Sequence, residues 1–70
     1  MEKISRIKLR DAMINACIGT RKLAQLAEVQ PATISKFLKA DSPIRLSTLG
    51  KISKALGVSL QDLILEELSQ

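Results

Sequence analysis

The stretch Leu26–Ala40, LAEVQPATISKFLKA, decides the reading of this chain. A helical run ends near Val29, a proline stands at Pro31, and a second helical pattern follows at once. Proline at the first position of a helix costs nothing, because its missing amide proton would have no intrahelical partner there. Behind it come Ala32, Thr33 and Ser35, small residues that do not build a core, while Ile34, Phe37 and Leu38 take the inward side. Before the break, Arg21 to about Ala27 reads as a short helix that buries Leu23, Ala24 and Ala27. Thr20 is placed to cap it, its hydroxyl taking a free amide of the first turn.

Working outward, the period is helical everywhere and no segment alternates like a strand. A first helix runs roughly from Lys3 to Cys17 and is apolar on two sides. Leu9, Ala12, Met13 and Ala16 form one stripe, which should face the core. Ile7, Ile14 and Ile18 form the other, available for a second core wall or a subunit contact. Gly19 is expected to end this helix. On the far side, KADSPIRL (Lys39–Leu46) reads as a loop, since Asp41, Ser42 and Pro43 are turn residues. Ser47 then caps a fourth helix carrying Leu49, Ile52, Ala55 and Leu56, and Gly57 ends it. Ser59 caps a last helix with Leu60, Leu63, Ile64 and Leu68, and Asp62 lies in its first turn as the helix dipole favours. The expectation is an all-α, compact five-helix bundle, one domain over residues 1–70.

Composition narrows the function. The chain has 70 residues, so it buries only roughly 60% of its unfolded surface and has a modest core. Phe37 is the one aromatic residue, which leaves the core to Leu, Ile, Ala and Val. Without histidine the commonest metal ligand and general base is missing, and a serine nucleophile would need an unusual lysine partner. Glu66 and Glu67 are adjacent and point apart on a helix, which suits shared proton work poorly. There is no glycine-rich phosphate loop and no cluster of metal ligands in the sequence, so enzyme activity, a cofactor and a small-molecule ligand are not expected. Cys17 stands alone, excludes an intrachain disulfide, and reads as a small buried apolar residue in a reducing compartment. No apolar run reaches the roughly 20 residues that cross a membrane, and no signal-peptide pattern opens the chain.

Charge is divided unequally. All 11 Lys and Arg fall within residues 1–59, against Glu2, Asp11, Glu28 and Asp41, a balance of +7. Residues 60–70 carry Asp62, Glu66 and Glu67 and no base, a balance of −3. A basic body with an acidic end is the polarity of a protein that meets a polyanion with one side only.

Two helices joined by a tight turn at Glu28 and Val29, with small Ala24 where they cross, have the arrangement of a helix-turn-helix unit over residues 20–38. In such a unit the second helix lies in the DNA major groove. LAQLAEVQPATIS together with LSTLGKISKALGVSLQDL resembles the XRE family, the five-helix DNA-binding domains of phage Cro and repressor proteins. The resemblance covers about Leu9 to Leu65. It implies the lambda repressor-like fold and a bacterial or phage-encoded, cytoplasmic and nucleoid-associated regulator of transcription. That regulator would be a repressor binding a palindromic operator on double-stranded DNA as a homodimer.

Carried over by position, the resemblance implies a phosphate clamp at the start of the second helix, where relatives often have glutamine and this chain has Thr20. Free amides at a helix N-terminus would keep that contact. It implies base readout at Gln30, Pro31, Ala32 and Lys36, with Thr33 and Ser35 beside them, Ser35 toward the bases and Thr33 toward phosphate. Lysine can donate to guanine, glutamine can read adenine, and Ala32 suits a thymine methyl. Arg21, Lys22, Lys39 and Arg45 fall on the same elements and read as phosphate contacts; Lys3, Lys8, Lys51 and Lys54 read as ordinary solvated charges.

The chain departs from the family where relatives commonly have glycine and it has Glu28, implying either a left-handed residue there or a slightly different turn. Pro31 and Ala32 replace polar readers, which shifts weight to Gln30 and Lys36. Met13 and Ile14 replace commonly charged residues of the first helix. Leu60, Ile64 and Leu68 are candidates for a dimer contact. A competing expectation is a protein-interaction module of the same fold, an antitoxin or an antirepressor partner, for which DNA is secondary.

Overall fold

Of the two outcomes expected at Glu28, the chain takes the left-handed one, and that break organises the architecture. In the computed structural model, which describes residues 2–65, Glu28 has φ 60° and ψ 41° and ends helix α2, Thr20–Ala27. Its N–H donates to the Gln25 carbonyl, and the Val29 N–H reaches back to the Ala24 carbonyl at 2.9 Å. The same paired closure recurs twice. Cys17, at φ 57°, ends α1 (Arg6–Ala16), with the Ile18 N–H on the Met13 carbonyl. Gly57, at φ 72°, ends α4 (Leu46–Leu56), with the Val58 N–H on the Ser53 carbonyl. Each left-handed residue is followed by a β-branched apolar residue, Ile18, Val29 or Val58, packed against the core.

The helix ends correct four expectations. Gly19 does not end α1; Cys17 does, and that terminal position leaves Cys17 exposed rather than buried. Gly19 instead is the N-cap of α2, so Thr20 is the first helical residue and makes no capping bond. Likewise Arg45, not Ser47, is the N-cap of α4.

Helix α3 spans Pro31–Lys39 with Pro31 in its first turn, as the sequence required. The core is a single cluster that joins Leu9, Ala12 and Met13 of α1 to Leu23, Ala24 and Ala27 of α2. Ile34 and Phe37 of α3 and Leu49, Ile52 and Leu56 of α4 belong to it too, with Ile4, Ile44 and Leu63 from outside the α-helices. Helix α2 packs against both α3 and α4, which fixes the angle of the helix-turn-helix pair. Of the two apolar residues placed on α1 where relatives are charged, Met13 is buried and Ile14 is 63% exposed. Ile7, 59% exposed, lies on the same side, so Ile7 and Ile14 of the second stripe face outward while Ile18 packs against the core.

The chain is not all-α, and it is not a five-helix bundle. Strand β1, Glu2–Ile4, stands where the first helix was expected to begin, and it pairs antiparallel with β2, Ser42–Ile44, inside the expected loop. The register is Glu2 with Ile44, Lys3 with Pro43, and Ile4 with Ser42. On its other side β1 is met by the chain after α4. Ile4 bridges Ile64, the Ser5 N–H donates to the Leu63 carbonyl, and the Leu65 N–H donates to the Lys3 carbonyl. That pairing is why the expected last helix stops after one 3-10 turn, Leu60–Asp62. The backbone groups that would continue the helix are spent on β1, and Leu63 is fully buried beneath. Ser59 does begin the turn, its N–H donating to Asp62 Oδ2.

Candidate nucleic-acid interface

The site residues expected from the sequence fall mainly on α3 and the two segments beside it. Gln30 is the N-cap of α3 and makes no side-chain capping bond, which leaves its amide group directed to the surface. Gln30, Pro31, Ala32 and Lys36 are exposed, while Thr33 and Ser35 are half-buried at the flanks of the helix. Lys36 and Lys39 lie in the last turns of α3, where cations also favour the helix dipole.

Two shallow grooves flank the exposed ridge of α3, and Lys36 lines both. One is formed by Ala32, Ser35, Lys36 and Lys39 with Ala40 and Ser42. The other runs between α3 and the start of α4; Thr33, Lys36, Pro43, Arg45 and Thr48 line it over a floor that includes Phe37. Most of the expected residues are therefore brought together: Ala32, Ser35, Lys36 and Lys39 on one side, Thr33, Lys36 and Arg45 on the other. Thr20 and Arg21 stand apart at the start of α2, Thr20 half-buried and Arg21 exposed, and neither lines these grooves.

Capping differs around this surface. The N-termini of α2, α3 and α4 have no side-chain cap, whereas α1 is capped by Ser5 Oγ, which accepts the Lys8 N–H. First-turn amides without an internal partner are the groups that bind an oxyanion. The start of α4 adds such amides next to Arg45.

Thr48 and Pro43 were missed by sequence reasoning. Thr48 stands one helical turn after Arg45 and thus on its side of α4; that spacing was legible, and only the displaced cap at Ser47 hid it. Lys8, expected to be a solvated charge, is instead partly buried, and its Nζ donates to the Ile64 carbonyl at 3.0 Å. Lys51 sits 3.8 Å from Glu28, an ion pair at the turn and away from both grooves. Of the expected dimer residues, Leu60 is exposed, Ile64 is half-buried against the core, and Leu68 lies outside the described residues. Among the described residues no group of three or more Cys, Asp or Glu could hold a metal ion. None of the described helices is long and apolar enough to cross a membrane.

The family model of the Cro/C1-type HTH DNA-binding domain matches residues 8–65, from the first turn of α1 to the segment that pairs with β1. The chain belongs to this family. As a Cro/C1-type domain, it is a DNA-binding module whose helix-turn-helix is α2 and α3. No curated protein matches it. Among solved structures, it is similar to Streptomyces albus HEPD with its substrate 2-hydroxyethylphosphonate and Fe(II) bound. That similarity has a TM-score of 0.77 at 19% identity and covers 81% of this chain but 13% of the other. The chain thus corresponds to a small part of that enzyme, and the likeness is one of fold.

Proposed function

We propose that this Cro/C1-type domain is a sequence-specific regulator of transcription, a repressor that binds a palindromic operator as a homodimer, and that it is not an enzyme. The observation that carries the reading is the position of Lys36, shared by both grooves along α3, with Lys39 beside one and Arg45 beside the other. Three cations converge on the exposed ridge of the helix that follows the turn. In this reading Gln30, Lys36, Ser35, Pro31 and Ala32 meet base edges. Lys39, Arg45, Thr33 and the first turn of α2 with Thr20 and Arg21 meet phosphates.

Two subunits would join through Leu60, Ile64 and Leu68, so that paired α3 helices address successive major-groove faces about 34 Å apart. The test is titration of a duplex by the protein at several salt concentrations. The reading expects binding that weakens steeply with salt and a concentration-dependent dimer on the duplex.

A second reading, a protein-interaction module for which DNA is secondary, is favoured by one observation. Ile7 and Ile14 present a mostly exposed apolar stripe on α1 and line neither groove of α3. Elution from a heparin or DNA column near low salt, with no shift of any duplex, would select it over the first.

A further inference from the structure

Lys3 opposes Pro43 in the sheet, and Pro43 lines the groove that holds Thr33, Lys36 and Arg45. We infer that Lys3 is a further phosphate-binding residue, through which the N-terminal strand extends the DNA contact surface beyond the helix-turn-helix; the inference rests on the DNA-binding function proposed above.

The backbone sets this up. The Lys3 carbonyl accepts the Leu65 N–H, so the polar groups of Lys3 point away from β2. Across to β2, Lys3 and Pro43 therefore form the pair without hydrogen bonds, the closer of the two kinds, with Cα atoms about 4.5 Å apart and side chains on one face. It is also the one position of β2 that a proline, lacking its N–H, fills without losing a ladder bond.

Alternation completes the argument. Ile4, Ser42 and Ile44 are buried on the inward face, so Lys3 and Pro43 share the outward one, and both are exposed. Glu2, the nearest acid in sequence, alternates to the other face. A lysine stem laid across Pro43 carries its ammonium toward the groove of Lys36 and Arg45. Asp41, next to β2 in sequence, accepts the Arg6 N–H through Oδ1 at 2.9 Å and makes no ion pair with Lys3. Among the described residues Lys3 takes part in no ion pair. The register of the sheet thus sets an apparently solvated lysine beside Pro43, next to the lining that Lys36 and Arg45 supply.

The experiment compares Lys3→Gln with Lys54→Gln in the full chain. Lys54 is exposed beside Leu26, Glu28 and Lys51, away from the groove, and its loss removes the same charge. Binding to a mixed-sequence duplex is measured between about 50 and 200 mM salt. Lys3→Gln is expected to lower the slope of log K against log salt by about 0.9, so that its deficit against the wild-type protein is roughly threefold larger at about 50 than at about 200 mM salt, the share of one phosphate contact. Lys54→Gln should keep the wild-type slope, and Lys3→Arg should restore it. Equal melting temperatures for the variants set folding aside, since the pairing of Lys3 uses its backbone.

If Lys3→Gln and Lys54→Gln give the same slope while the wild-type protein binds, Lys3 contacts no phosphate and the inference is overturned. If the wild-type protein binds no duplex at any salt, the proposed function and this inference fall together.

Discussion

Lys36 and Arg45 line the same groove although one belongs to α3 and the other caps α4. Their meeting depends on β2, which carries the chain from the end of α3 to the start of α4. In the proposed interface they do different work, because Lys36 also borders the second groove and stands on the ridge between them. Lys36→Ala or Gln30→Ala should relax the choice of sequence, costing about 1–3 kcal/mol at the affected base pair. Lys39→Ala or Arg45→Ala should weaken binding to all duplexes alike and lower the salt slope by about one. Competition titrations with matched and scrambled duplexes separate the two outcomes.

Glu28 and Cys17 hold left-handed conformations that favour glycine. A non-glycine residue there costs about 1–2 kcal/mol. Glu28→Gly also gives up the exposed pair with Lys51, worth roughly 0–1 kcal/mol. Backbone relief exceeds that loss, so Glu28→Gly should stabilise by on the order of 1 kcal/mol and raise the melting temperature by roughly 4–8 °C. Cys17→Gly should act in the same direction. A thermal melt showing no gain for either would mean that these helix ends are not under strain.

Leu23 is fully buried where α2 meets its neighbours. Leu23→Ala should cost about 2–5 kcal/mol, a large part of the roughly 4–10 kcal/mol that a domain of this size holds. Denaturant titration should show a much lower midpoint, and DNA binding should fall with the folded fraction rather than with any change of specificity.

Ile7 and Ile14 test the exposed side of α1. Ile7→Ser and Ile14→Ser should each change stability by less than about 0.5 kcal/mol, because these side chains leave water only in part. DNA affinity should stay unchanged. A loss of affinity in either variant would draw the α1 face into the DNA-bound assembly.

The helices were legible because their signals are local. Pro31 at a first turn and the buried sides of α1 to α4 each follow from residues close in sequence, and the left-handed Glu28 was one of two outcomes that the family resemblance implied. The sheet was not legible. Glu2–Ile4 is too short to show alternation, and its partner contains Pro43, which reads as a turn residue until the pairing shows that its missing N–H is not needed. The two strands are far apart in sequence, so only the folded chain brings them together. The same non-local pairing cut short the expected last helix by drawing Ile64 and Leu65 to β1. Cys17 was misjudged because a residue at a helix end was read by its chemistry rather than by its backbone. For the site, the residues of α3 were predicted together and do stand together, whereas Pro43 joins them only through the pairing of β2.

The central claim is that the exposed ridge of α3 reads duplex DNA. Selection of bound duplexes from a random pool tests it most directly. The account predicts enrichment of one short sequence, repeated in inverted orientation with centres about 10 base pairs apart. It also predicts that Lys36→Ala selects a more permissive version of the same half-site. A pool that emerges unenriched, or one whose enriched sequence is untouched by substitutions at Gln30 and Lys36, would contradict it.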